Sequence, residues 1–226
     1  MAGRWGMTTG RMVSPWPTMT DLDRLRLTQV LSPAFPIGSF AHSQGLEWAI
    51  ASGRVRDGAE MQAWVAAVIA QGSGFADAVF LSMGRRAGAD PGSLADLYEA
   101  YLPAAGRRLE AMELGRGFRA LTDADAPELP YVLALARETA ALKVPEVEVL
   151  GLHLQALAAQ LLSVAVRFMP MGQGEAQRIL AALAPVIADA AQRASGAGEE
   201  ALFTFTPGAD IAAMAQAHME TRIFRS

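Results

Sequence analysis

The stretch from Val147 to Phe168 limits the fold more than any other part of the chain. Val147, Leu150, Leu154, Leu157, Leu161, Val164 and Phe168 recur at alternating spacings of three and four, the stripe of a helix packed along one seam. The remaining faces carry Val149, Leu152, Ala156, Ala158, Leu162 and Ala165, so the helix is apolar nearly all round. Such a helix lies at the centre of a large core or in lipid. Residues 149–166 carry no formal charge and just reach spanning length. Against lipid, His153, Gln155, Gln160 and Ser163 interrupt the run, and Glu146, Glu148 and Arg167 bracket it without an aromatic belt. The expectation is a buried central rod.

Helix-period segments fill most of the rest. A short helix is expected over Leu22–Leu31, then an apolar loop Ser32-Pro-Ala-Phe-Pro-Ile-Gly38, then a helix from about Ser39 to Ser52. Asp57 with Glu60 three residues on marks a helix start, and Met61, Trp64, Val65 and Val68 share one face. Gly72 and Gly74 separate that helix from Phe75–Ala87, and Pro91-Gly92-Ser93 opens one running to Tyr101. Leu109–Leu121 and Leu129–Leu142 follow, with Pro145 in the first turn of the long helix. Glu175–Arg193 is a further helix, Ser195–Glu200 a flexible linker, and Thr206-Pro207 the start of the last helix. Only Ala201–Thr206 could pass for a strand, too short to build a sheet. The fold class expected is all-α: a single-domain helical bundle over 21–220, with a disordered leader at 1–20 and a tail at 221–226.

Several functions are disfavoured. A formal charge of −4 lacks the basic face that nucleic acid demands. There is no cysteine, hence no thiolate chemistry and no Cys-based metal site; a reducing cytoplasm fits. Met1–Thr20 has scattered Gly, Pro and Arg and no continuous apolar core, unlike a signal peptide. Lys143, the only lysine, sits in Ala-Leu-Lys-Val-Pro, so no P-loop can form. His42, His153 and His218 have no helical spacing to one another and read as structural; neither cofactor nor metal is expected. Ala41-His-Ser-Gln-Gly45 is similar to a nucleophile elbow, but that motif needs a strand and parallel sheet beneath it. A serine hydrolase using Ser43 is a remote alternative. The ending Arg222-Ile-Phe-Arg-Ser226 joins Ile and Phe to two arginines. Those are residues of protein–protein hot spots, unless the tail docks onto its own core.

Three ordered blocks carry a resemblance. Ser32-Pro-Ala-Phe-Pro-Ile-Gly-Ser-Phe-Ala-His-Ser-Gln-Gly-Leu-Glu47, Ala165-Val-Arg-Phe-Met-Pro-Met-Gly-Gln-Gly-Glu-Ala-Gln-Arg178 and the Arg-Ile-Phe-Arg-Ser ending resemble the signatures of the urease accessory protein UreF family. Glu113-Leu-Gly-Arg-Gly agrees more weakly. The resemblance implies an all-α, dimeric, non-enzymatic adaptor in the maturation of urease. It would bind the accessory protein UreD (UreH) through its C-terminal region, recruit the GTPase UreG and meet apo-urease for nickel insertion. A compatible alternative is a regulator of UreG hydrolysis. Two departures stand out. His218 lies four residues before Arg222 instead of six and is followed by Met219, so the family's His-Glu pair cannot be placed on it; Ala176 replaces a usual glycine.

On this reading the partner-binding candidates are Pro36, Gly38, His42, Gln44 and Glu47 of the first block. Arg167, Pro170, Gly172, Gln173 and Gln177 come from the second, and Arg222, Phe224 and Ser226 from the tail. The two loops are expected to pack near one another and, with the tail, to shape the partner surfaces.

Overall fold

The long apolar run forms a single helix of 23 residues, Glu146–Phe168, in a computed structural model that describes residues 18–202 and 205–226. Ten α-helices and two short 3-10 turns account for the elements among these residues, with no strand. In chain order the helices are α1 Met19–Val30, α2 Leu46–Ala51, α3 Gly58–Gln71, α4 Ser73–Arg85 and α5 Pro91–Tyr101. They continue with α6 Ala105–Thr122, α7 Tyr131–Thr139, α8 Glu146–Phe168, α9 Gln173–Ala194 and α10 Pro207–Gln216. The leader expected at 1–20 lies outside the described residues as far as position 17. Thr18 already caps α1, exchanging hydrogen bonds with Asp21 in a capping box.

On α8, Leu150, Leu154, Leu161 and Val164 are essentially inaccessible, as are Val149, Ala158 and Ala165 on adjoining faces. The helix contacts α2, α3, α4 and α9. The four-residue link 169–172 turns the chain back so that α9 lies along α8, the αα-hairpin expected of a short connection. Runs 58–85 and 146–168 are both long and apolar enough to cross a bilayer, but Gly72 breaks the first, and these apolar faces are taken up by neighbouring helices.

A second helix shares the centre. Every residue of α4 from Gly74 to Met83 is buried, and α4 touches α3, α5, α7, α8 and α9. Its polar Asp77 and Ser82 hide this role in the sequence. Both are satisfied inside: Tyr98 Oη donates to Asp77 Oδ1 at 2.8 Å, and Ser82 Oγ to Glu146 Oε1 at 2.5 Å. The ring of Phe80 meets Tyr98 edge-on at 4.9 Å.

Most boundaries agree with the sequence pattern, and the exceptions have local causes. Asp90 caps α5, accepting from the amides of Gly92 and Ser93, with Pro91 in the first helical position. Pro145 stands at the cap of α8. The supposed linker 195–200 is held in place, since Gly196 N donates to Glu146 Oε1 at 2.9 Å, and Glu199–Ala201 forms a 3-10 turn. Phe203 and Thr204 of the possible strand fall outside the described residues. The largest departure is at Ser39–Ser52. Only Ser39–Ala41 makes a 3-10 turn there, and α2 begins at Leu46.

Candidate functional site

The break before α2 creates the site. Gln44 has φ +57°, unusual for a residue with a side chain, and Gly45 has φ +86°. Helical geometry is thereby interrupted, and the amides of Ser43 and Gln44 are freed to point outward together. Gly45 is required for a second reason: a Cβ there would drive into the Ala212–Ala213 backbone of α10.

The two freed amides hold the tail. Ser43 N and Gln44 N donate to Ser226 O at 2.6 and 3.0 Å, and Arg225 N donates to Ala41 O at 2.8 Å. Adjacent N–H groups converging on one oxygen form a nest that favours negative charge. Glu47, 1% exposed, accepts from Ile223 N at 2.7 Å and Phe224 N at 3.0 Å, with Gln216 Nε2 of α10 at 3.4 Å. Ser43 Oγ lies 2.6 Å from Ser226 O and 2.9 Å from Gln216 Oε1. The side chain of Phe224 is buried beneath Arg167, whose guanidinium stands 4.5 Å above the ring.

α6 supplies the far wall. Ser226 Oγ donates to Glu110 Oε2 at 2.6 Å and lies 2.9 Å from His42 Nδ1. Its proton is committed to Glu110, so His42 carries its hydrogen on Nδ1. Burial lowers the His42 pKa, against the pull of Glu110 and Glu113. The ring is therefore neutral at physiological pH, and its 3.7 Å approach to Glu113 is not an ion pair. Glu110 also accepts from Gln44 Nε2 at 3.0 Å and pairs with the buried Arg107. Burial opposes the charge on Glu110, but Arg107 and the Ser226 hydroxyl hold its pKa below the usual value. Arg107 is the mirror case: burial disfavours its charge, while Glu110, Tyr98 and Asp77 raise its pKa. Outside this core, Arg225 reaches Glu113 at 3.1 Å.

All three sequence blocks meet here, though not with equal exposure. Phe224 and Ser226 are buried with His42 and Glu47, so they build the surface from below. Arg222, Ile223 and Arg225 face outward, as do Pro36, Phe40, Arg167, Gln173 and Gln177. Ile223 and Phe40 are each 70% exposed. Loop 32–40, Arg167, Gln173 and Gln177 border one cleft. Pro170 and Gly172 lie exposed in the adjoining link, and His218 is exposed just after α10.

Sequence reasoning missed Arg107, Glu110, Glu113 and Gln216. The weak block Glu113-Leu-Gly-Arg-Gly was the one signal for them. Within it Gly115 lets α6 meet the chain at Leu129, whose carbonyl a Cβ would strike. Ser43 is no nucleophile. Its hydroxyl is wholly buried under the tail, both of its close neighbours are acceptors, and its neighbour His42 is bonded to Ser226 instead.

Comparison with known proteins finds relatives of one family along most of the chain. A UreF family model matches residues 55–184. The urease accessory protein UreF of Cereibacter sphaeroides is 48% identical over 206 residues, covering 89% of this chain and 98% of that protein. That of Paracoccus denitrificans is 46% identical over 207 residues, covering 90% and 96%. That of Rhodopseudomonas palustris is 39% identical over 220 residues, covering 89% and 92%.

Proposed function

The chain belongs to the UreF family of urease accessory proteins, and from that premise we propose that it is a cytoplasmic adaptor bridging UreD (UreH) and the GTPase UreG during nickel insertion into apo-urease. Its role lies in urease maturation and is not catalytic. One observation carries the adaptor reading: the tail is bonded along its length to the first signature loop, leaving Arg222, Ile223 and Arg225 outward beside Phe40 and Arg167. Arginine and large apolar groups on a stiff base make a good docking surface, because little freedom remains to be lost on binding. Residues 221–226 thus act as a partner-binding unit, and the working form is a homodimer.

Co-purification of the full chain with UreD and UreG tests this. Replacing Arg222 and Ile223 by alanine should abolish capture of UreD while the circular dichroism spectrum stays unchanged. Undiminished capture would remove the tail from the interface. A second reading, control of UreG turnover, is favoured by Arg222, which is exposed and has no acidic partner among the described residues. An arginine supplied in trans can change hydrolysis by about 10³-fold or more. Single-turnover hydrolysis by UreG, with the parent chain and with Arg222→Ala, separates a regulator from a passive bridge.

A further inference from the structure

Beneath the cleft between loop 32–40 and the start of α9 lies a cavity of about 360 Å³ that reaches the centre of the bundle. That is the size of a small organic ligand's site and far more than one ion needs. Among the described residues no three His, Asp or Glu side chains converge as metal ligands. The cavity nevertheless has hydrogen-bonding capacity to spare. His153 is 6% exposed, and its Nε2 has no partner; nor does the buried Gln44 Oε1. Buried polar atoms in folded proteins are nearly always satisfied, so these two, on residues that line one chamber, mark its depth as polar.

The charges define a fitting occupant. Asp77 and the Arg107–Glu110 pair line it at depth, and the exposed Arg167 stands at its rim. Such a lining is close to neutral overall but strongly dipolar, so neither a simple cation nor a simple anion is well matched. Tyr98 takes one oxygen of Asp77, and Glu110 takes Nη1 of Arg107. The remaining atoms of those two groups can receive an ammonium and a carboxylate respectively. Leu114, Val132, Leu157 and Leu162 supply an apolar wall. We propose that this cavity binds a small zwitterion with an apolar side chain, of the free α-amino acid class. The ammonium lies toward Asp77 and Gln44 Oε1, the carboxylate toward Arg107, and the side chain along α8.

Titration calorimetry on the intact protein tests the assignment, with L-leucine and L-phenylalanine as probes and isoamylamine and isocaproate as half-ligands. His153 ring resonances are followed in parallel by NMR. The zwitterions should bind saturably and shift the His153 signals, and each half-ligand should bind at least about tenfold more weakly, having lost one charge-assisted contact. Asp77→Asn keeps an oxygen for Tyr98 and should weaken binding about tenfold. Ala156→Phe, on the half-exposed wall of the cavity, should block it with the helical spectrum retained. Absence of saturable binding by about 10 mM would mean that water alone fills the chamber. A half-ligand that binds as well as the zwitterion, or binding that survives Ala156→Phe, would equally overturn the proposal.

Discussion

Replacing Glu47 by alanine should release the tail while leaving the bundle folded. The carboxylate accepts two backbone amides of the tail, Ile223 N and Phe224 N, at 2.7 and 3.0 Å. Hydrogen bonds to a charged acceptor contribute about 1.5–3 kcal/mol each. Removing both should shift the docking equilibrium by at least about 3 kcal/mol, a factor of roughly 100. The core on α8 and α4 shares no side chain with this contact, so global unfolding should move far less than tail opening. Hydrogen exchange resolved to residues 223–225 measures it directly: these amides should lose about two orders of magnitude of protection, with α8 amides unchanged. Glu47→Gln should fall between, because its amide keeps one acceptor but turns a donor toward the second N–H. Protection within about twofold of the parent in Glu47→Ala would refute this account of what holds the tail.

Gly45→Ala should destabilise by more than about 2 kcal/mol, since it adds positive-φ strain to a clash with the α10 backbone; urea denaturation at neutral pH would show it. His153 is held neutral by burial, its pKa pushed down to about 4. The unfolded ring titrates near 6.5, so stability is full above pH 6.5 and falls as pH drops toward 4, by about 3 kcal/mol in all. His153→Met should flatten that part of the stability–pH curve, and an unchanged slope would assign the acid sensitivity elsewhere. Phe224→Ala should cost about 3 kcal/mol of tail docking by removing a buried ring and its contact with Arg167, read as proteolytic cleavage after Arg222. A fluorophosphonate probe should leave Ser43 unlabelled, because the hydroxyl is covered.

The rod α8 was legible because one stripe of apolar residues repeats over six turns, a signal local sequence carries by itself. α4 was legible as a helix but not as a second centre, since Asp77 and Ser82 look solvent-facing until Tyr98 and Glu146 are seen to satisfy them. The Ser39–Ser52 segment has helical composition, and its break at Gln44 and Gly45 depends on bonds to Ser226, a partner 183 residues away from Ser43. No local pattern reports that. The resemblance picked out blocks that meet in space, yet it could not say which of their side chains are covered and which face outward. Phe224 and Glu47 are covered; Arg222 faces outward. Glu110 and Arg107 were invisible because each makes sense only beside the other and beside Ser226.

During synthesis, the acceptors of Glu47 and the paired amides after His42 leave the ribosome long before the residues that satisfy them. Until 223–226 follow, the carboxylate and the two N–H groups stay in water, because the segment that covers them is the one that bonds them. A frayed tail therefore does not hold Arg222 and Ile223 where the docked one does. The placement of those two exposed side chains thus reports whether the first block and the tail have closed on one another.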